Sequence, residues 1–294
     1  MGIKKLQNKL IKLEQRDGVL QVAGGNSWQS YLRDPYHLLL TVPWLGFLSI
    51  VIIFDIFLNG VFAVLYLIDP QAIGGMKEGS FLEAFFFSVQ TLASIGYGVM
   101  HPQTLYANLL VTLESITSLM LFAVITGIAF TRFAKSAARV MFSHVATIHN
   151  YNGVPTLMFR TANERRNNIL EARLKVYLML DEVSSEGQMM RRLHELKLLR
   201  DHSPVFLLSW TVIHTINENS PLYNMDREIM ERLNAQILVS LTGVDETIEG
   251  TIHARHIYAS HRILFNYRFV DIIHLGNDGY RYLDFQHFHD VIPN

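Results

Sequence analysis

Residues 94 to 98 read Ser-Ile-Gly-Tyr-Gly and follow a mostly apolar run, where a surface turn has no use for two glycines around a tyrosine. Glycine reaches backbone conformations closed to other residues. Gly96 and Gly98 therefore allow the successive carbonyls of Ser94, Ile95, Gly96 and Tyr97 to point to one side. Stacked around an axis by four copies of a chain, such oxygens form rings that replace the water shell of a dehydrated cation. The bland alternative is a glycine turn in a re-entrant loop that conducts nothing.

Chemistry of that kind has to be held at membrane depth, where non-helical backbone survives only inside protein or along a water-filled cavity. Residues 81–93, FLEAFFFSVQTLA, are apolar nearly all round. They are too few to cross a bilayer, which takes roughly 20 residues, and too apolar to sit in water. They read as a half-membrane pore helix, opened by a capping box of Ser80 with Glu83. Its C-terminal end, aimed at the axis, adds negative potential.

Two long apolar runs flank this segment, Trp44 to Ile68 and Ala107 to Phe130, each long enough to span. Trp44 and Tyr66 sit near the ends of the first, as interfacial anchors do. The first run starts too late and is too long for a cleavable signal, and no small-residue cleavage site follows it. The opening MGIKKL lacks the Ser or Thr of a myristoylation signal. Lys4, Lys5, Lys9, Lys12, Arg16 and Arg33 precede the first span, and Arg132, Lys135 and Arg139 follow the second. The loop between has only Lys77, so both termini are expected in the cytoplasm.

Composition agrees with a part-membrane chain. Half of the 294 residues are hydrophobic, only 17% are charged, and mean hydropathy is positive. Without cysteine there is no disulfide framework, thiolate metal site or thiol nucleophile. A net charge of -1 gives no global field for nucleic acid.

With these residues in view, the chain resembles a potassium channel subunit of the two-span type. SIGYG is similar to the family's T-[VI]-G-Y-G filter. DPYHLLLTVPW (34–44), EAFFFSVQTLASIGYG (83–98), ARVMFSH (138–144), ANERRNNILEA (162–172), SSEG (184–187) and SPVFLLSWTVIHTINENSPLY (203–223) narrow the likeness. Together they resemble inward-rectifier channels, specifically the prokaryotic KirBac branch, over most of the chain from about residue 30.

The resemblance implies a homotetramer with one central pore. Potassium would be held by main-chain oxygens of Ser94, Ile95, Gly96 and Tyr97, with Gly98 closing the outer mouth. That is the only metal implied, and no organic cofactor or protein partner is. Residues 28–40 would be the slide helix, its Trp28, Tyr31, Leu32, Tyr36 and Leu39 mixed with Arg33 and Asp34 as an interfacial segment needs. Phe130 matches the bulky side chain that closes the helix bundle. Arg132, Lys135 and Arg139 need no role beyond topology, but the resemblance favours an anionic phospholipid site there.

Five positions depart from the family pattern. Ser94 replaces the usual Thr, and Ser118 stands at the usual glycine hinge, with Gly127 lower down as a second hinge candidate. Phe122 stands where strongly rectifying members have a cavity acid, and Arg262 and Gln188 replace two cytoplasmic-pore acids. Carboxylates attract polyamines and these side chains do not, so steep rectification is not expected.

From about Val140 short alternating or apolar segments are bounded by turn residues: Asn152-Gly153, Asn219-Ser220-Pro221, Gly243 and Asn277-Asp278-Gly279. That pattern predicts an all-β sandwich, which the resemblance makes immunoglobulin-like and a continuation of the pore. The expected domains are a cytoplasmic N-terminus at 1–42, a pore domain at 43–137 and a cytoplasmic sandwich at 138–294. Within the pore domain lie an outer helix at 44–68, a pore helix at 81–93, the filter at 94–98 and an inner helix at 107–133.

Several residues invite a second role. His253, His256 and His261 look like a metal cluster, but on a strand the first two point oppositely, so surface or interface histidines are expected, or pH sensors. Charge inside a span faces a bundle interior or water. Glu114 is thus expected behind the pore helix with Gln90 or Thr91 as partner, or else as a cavity-facing cation attractor, and Asp55 against a polar group of the neighbouring helix. The competing classes are a non-conducting receptor with a ligand-binding sandwich, which has no use for the filter loop, and an enzyme. GxSxG, HExxH, P-loop and paired-carboxylate patterns are all absent, which argues against the enzyme.

Overall fold

A computed structural model describes residues 12–16, 19–23, 34–134, 138–165, 167–275 and 277–294. The chain divides into two units, one of Asn26–Lys135 and one of Met1–Gly25 with Ser136–Asn294. The second unit begins with an antiparallel hairpin of β1 (Lys12–Arg16) and β2 (Val19–Ala23).

In the first unit, α1 (Pro35–Thr41) starts at Asp34, whose carboxylate accepts the His37 N–H at 3.0 Å, with proline at the first helical position. Residues 28–33 of the expected slide helix lie outside the described residues. Val42 and Pro43 break the chain before α2 (Trp44–Tyr66), whose 23 residues reach about 35 Å. It stops short of Pro70, which cannot donate to a continuing helix. The 12 residues of α3 (Phe81–Leu92) reach only about 18 Å, half a bilayer. Thr104 starts α4 (Leu105–Ala134) by accepting the Ala107 N–H on its hydroxyl at 3.2 Å.

Two short strands, β3 (Ile73–Gly74) and β4 (His101–Pro102), pair antiparallel across the two ends of the loop that carries α3 and residues 94–98. Gln103 N–H adds a bond to the Ala72 carbonyl at 2.9 Å. Beneath this clamp Phe62, Ala63, Tyr66, Ala84, Phe87, Leu92 and Ala107 join the three helices in one apolar cluster.

The second unit is a sandwich of two five-stranded sheets. Its strands in chain order begin with β5 (Val140–Phe142), β6 (Ala146–Tyr151), β7 (Val154–Asn163), β8 (Ile169–Val183) and β9 (Met189–Leu196). They continue with β10 (His202–Phe206), β11 (Ser209–Thr215), β12 (Gln236–Asp245), β13 (Gly250–Ala259) and β14 (Ile263–Phe265). One sheet runs β10-β8-β12-β13 with β9 also on β8, the other β11-β7-β6-β14 with β5 also on β7. Period-2 alternation buries Ala172, Leu174, Val176, Leu178 and Leu180 of β8 and Ile237, Val239 and Leu241 of β12. Each fully buried aliphatic side chain contributes about 1.5–3 kcal/mol.

Nearly every residue of β7 is buried, because both of its faces are covered. Leu157 and Phe159 enter the sandwich core, while Ala162 packs with Ile272 and Phe288 of the C-terminal segment. That segment carries β15 (Tyr267–Phe269), β16 (Ile273–Leu275), β17 (Arg281–Leu283) and β18 (Val291–Pro293). A helix of six residues, α5 (Arg227–Arg232), is capped by Asp226.

Asn152 and Gly153 make the β6–β7 hairpin turn, both at positive φ. Gly243 does not bound a strand as the sequence pattern suggests. It lies inside β12 at a bulge opposite β8, where a Cβ would stand 2.5 Å from Ile169 Cγ2. Its role there is close approach of two strands rather than a turn.

Candidate functional site

The last turn of α3 and the segment 94–98 form one device. Ile95 N–H donates to the Gln90 carbonyl at 2.8 Å and Ser94 N–H to the Thr91 carbonyl at 3.0 Å. This is the Schellman closure of a helix, with Ser94 in the left-handed position (φ 57) that glycine usually takes. A non-glycine residue there costs about 1–2 kcal/mol.

Positive φ recurs at Gly96 (58) and Gly98 (85) but not at Ile95 or Tyr97. Alternating hand between neighbours brings successive carbonyls to one side, unlike a strand, where they alternate. Nothing lies within 4 Å of the position a Cβ would take at Gly96 or Gly98, so the demand for glycine is conformational and not a matter of crowding. Among the described residues, no protein group donates to the carbonyls of Ser94, Ile95, Gly96, Tyr97 or Gly98. Main-chain carbonyls are obligatory acceptors, and these five have no protein donor among the described residues.

Behind the loop the polar partners differ from those expected. Glu114 is completely buried, and its carboxylate accepts from Tyr66 Oη at 2.6 Å and meets Ser88 Oγ, not Gln90 or Thr91. Thr91 turns its hydroxyl to the Phe87 carbonyl within α3, and Gln90 is half-buried. The apolar-all-round sequence of α3 left its rotation open, and the cluster below the clamp selects the Ser88 face. Tyr66 is no interfacial anchor. It is fully buried and meets Phe87 edge to face. Asp55 accepts from Asn59 Nδ2, four residues on in its own helix, instead of a neighbouring helix. Ser80 accepts the Glu83 N–H, but Glu83 reaches the Lys77 N–H, because the Ser80 N–H is already taken by the Lys77 carbonyl. Sequence reasoning passed over Ser88 and Asn59, though a serine in an apolar half-helix and an asparagine in a span were visible signals.

Along α4, Ser118 Oγ donates to the Leu92 carbonyl at 2.5 Å. Phe122 and Phe130 leave 73% of their surface uncovered by their own chain. Gly127 is exposed, and its carbonyl accepts the Thr131 hydroxyl at 2.8 Å. Arg132 is engaged internally. Its guanidinium donates to the carbonyls of Leu39 and Val42 (2.6 Å to the latter) and lies over the rings of Trp44 and Phe47 at 4.8 and 4.9 Å. A lipid headgroup at this side chain has to compete with those partners. Arg139 is exposed, and Lys135 lies outside the described residues.

In the sandwich unit His253, Arg262, His261 and Gln188 are exposed. His256 lies between Phe142 (5.3 Å, stacked) and Tyr258 (4.5 Å). Burial, with the neighbouring His144 and Arg262, holds its pKa down at about 4. Among the described residues, no three His, Cys, Asp or Glu side chains are placed to hold a metal ion.

Two apolar spans around a half-helix and a glycine-bearing loop, joined to a β-sandwich, define an integral membrane protein built as a pore subunit. Residues 48–135 match the family described as "Ion channel", and residues 140–293 match "Inward rectifier potassium channel C-terminal domain". The chain is 41% identical over 263 residues to inward rectifier potassium channel Kirbac3.1 of Paramagnetospirillum magnetotacticum, covering 90% of this chain and 89% of that one. It is 27% identical to human inward rectifier potassium channel 18 and to chicken ATP-sensitive inward rectifier potassium channel 12. Those alignments cover 97% of this chain and 71% and 72% of the two relatives. A solved structure of the Pseudomonas fluorescens alkylpurine DNA glycosylase AlkC on DNA overlaps 60% of this chain and 44% of its own at a TM-score of 0.19 and 13% identity, and bears on nothing here. The chain belongs to the inward rectifier potassium channel family, in its prokaryotic branch, and is not an enzyme.

Proposed function

We propose that four copies of this chain surround one axis and conduct potassium selectively through rings of main-chain oxygens from Ser94, Ile95, Gly96 and Tyr97, with Gly98 at the outer mouth. The observation that carries this reading is the alternation of positive φ at 94, 96 and 98 over carbonyls that no protein donor occupies. Oxygens fixed in such rings take over the ion's hydration shell. Gln90 and Thr91 support the filter through their main-chain carbonyls, and Glu114 holds the pore helix behind it through Ser88.

Phe130 forms the gate, a ring of four aromatic side chains that closes by dewetting. Gly127 lets the inner helix bend below Ser118. Phe122 faces the cavity and offers no charge to polyamines, so rectification is weak. Both termini and the sandwich at 138–294 lie on the cytoplasmic side of a prokaryotic inner membrane.

Anionic phospholipid modulates the gate through Lys135 and Arg139, each attracted by about 1 kcal/mol to an anionic leaflet. Arg132 contributes only when released from its backbone partners. Reversal potentials in planar bilayers under opposed potassium and sodium gradients test the proposal. A reversal near the potassium equilibrium potential supports it, and one near zero overturns it.

A further inference from the structure

Three oxygen–oxygen contacts meet at the centre of the pore domain with too few hydroxyl hydrogens to make them. Ser88 Oγ touches Asn59 Oδ1 at 3.0 Å and also Glu114 Oε1, while Tyr66 Oη touches Glu114 Oε2 at 2.6 Å. A hydroxyl carries one hydrogen, so Ser88 and Tyr66 supply two for three contacts. The orientation of the Asn59 amide is not free to rescue the count. Its nitrogen faces the main-chain carbonyl of Asp55 at 2.9 Å, which has no hydrogen to offer, so its oxygen must face Ser88. Ser88 therefore spends its hydrogen on Asn59, and the contact with Glu114 needs a hydrogen from the carboxyl.

We infer that Glu114 is held as a neutral carboxylic acid whose O–H donates to Ser88, and that this acid is the positioning residue that pins the pore helix to both spanning helices. Asn59 and Tyr66 come from α2, Ser88 from α3 and Glu114 from α4, so one proton closes a chain across all three. Exposure of these four residues is between 0% and 1%, so water cannot supply the missing hydrogen. Among the described residues no Lys, Arg or His pairs with Glu114, and the ionisable groups around it are Tyr66, Asp55 through Asn59, and Tyr106, whose hydroxyl is bound to the Leu65 carbonyl. A buried carboxylate without a cation is the costly alternative. The consequence for conduction rests on the filter reading above, but the protonation state does not.

Two readouts keep those apart. Infrared spectra of the purified full chain at neutral pH are expected to show a protonated-carboxyl stretch that shifts when glutamate is carboxyl-labelled with carbon-13 and is lost in Glu114→Gln. A spectrum with no such band, or a band unchanged in the variant, overturns the inference whether or not the protein conducts. Glutamine can donate an N–H to Ser88 and accept from Tyr66 on its carbonyl, as the acid does with its O–H and C=O, so Glu114→Gln should keep tetramer yield and barium-sensitive rubidium uptake within about threefold of wild type. Glu114→Ala strands both hydroxyls and should lower one or both by about tenfold or more.

Discussion

Ser118 Oγ donates to the main-chain carbonyl of Leu92, tying the middle of the inner helix to the last turn of the pore helix. The final carbonyls of any helix lack intrahelical partners. Here Gln90 and Thr91 are served by the backbone of Ile95 and Ser94, and Leu92 by a side chain from α4. A glycine at 118 would leave that carbonyl open, so the serine adds a tether between the two helices that flank residues 94–98.

Ser118→Ala removes the tether at a cost of about 0.5–1.5 kcal/mol per subunit. The expected result is a lower midpoint for thermal dissociation of the tetramer, with Ser118→Thr close to wild type. Equal midpoints for all three proteins would refute the tether.

Gly96→Ala should abolish barium-sensitive rubidium uptake while crosslinking still yields tetramers. The space around a Cβ is open, so the loss comes from forcing an L-residue into φ +58, about 1–2 kcal/mol in each subunit. Normal uptake in the variant would show that the left-handed geometry is dispensable.

His256 protonates near its ordinary 6.5 in the unfolded chain but near 4 in the fold, held down by burial and by His144 and Arg262. Between those values the unfolded state binds more protons, so stability rises with pH. Nothing is lost above 6.5; as pH falls towards 4 the fold loses on the order of 2 kcal/mol, allowing for partial exposure of the ring. Burial lowers His149, His214 and His289 in the same direction, whereas Asp290 and Asp284 raise His287 and oppose it. Urea unfolding of the full chain in detergent, followed by tryptophan fluorescence, should show the midpoint falling on acidification, and less so in His256→Gln.

Arg132→Lys should be destabilising despite its kept charge. A lysine cannot serve the Leu39 and Val42 carbonyls as a fork while lying flat on Trp44 and Phe47. Loss of a charged hydrogen bond costs about 1.5–3 kcal/mol, read as a lower tetramer midpoint. If the main role of Arg132 is to hold lipid, lysine will substitute without loss and only the lipid response will change.

The legible parts of this chain were those written in runs and turn residues. The two spans, the half-helix before SIGYG and the strands with Asn152-Gly153 all follow from apolar length, period and positive-φ chemistry. Partners reached across sequence were not legible. Tyr66 and Glu114 are 48 residues apart and Arg132 and Leu39 are 93 apart, and an apolar helix does not announce which face it turns inward. Gly243 was misread because a strand glycine and a turn glycine look alike until the neighbouring strand is in place.

The most direct test of selective conduction is radioactive rubidium uptake into potassium-loaded liposomes holding the purified protein, with barium or sodium outside. Uptake that barium blocks and excess sodium leaves unchanged is the predicted result. Phe130→Ala should raise it, because the proposed gate ring is gone. Uptake that sodium suppresses as an equal competitor, or none in Phe130→Ala tetramers, would contradict a selective carbonyl filter at residues 94–98.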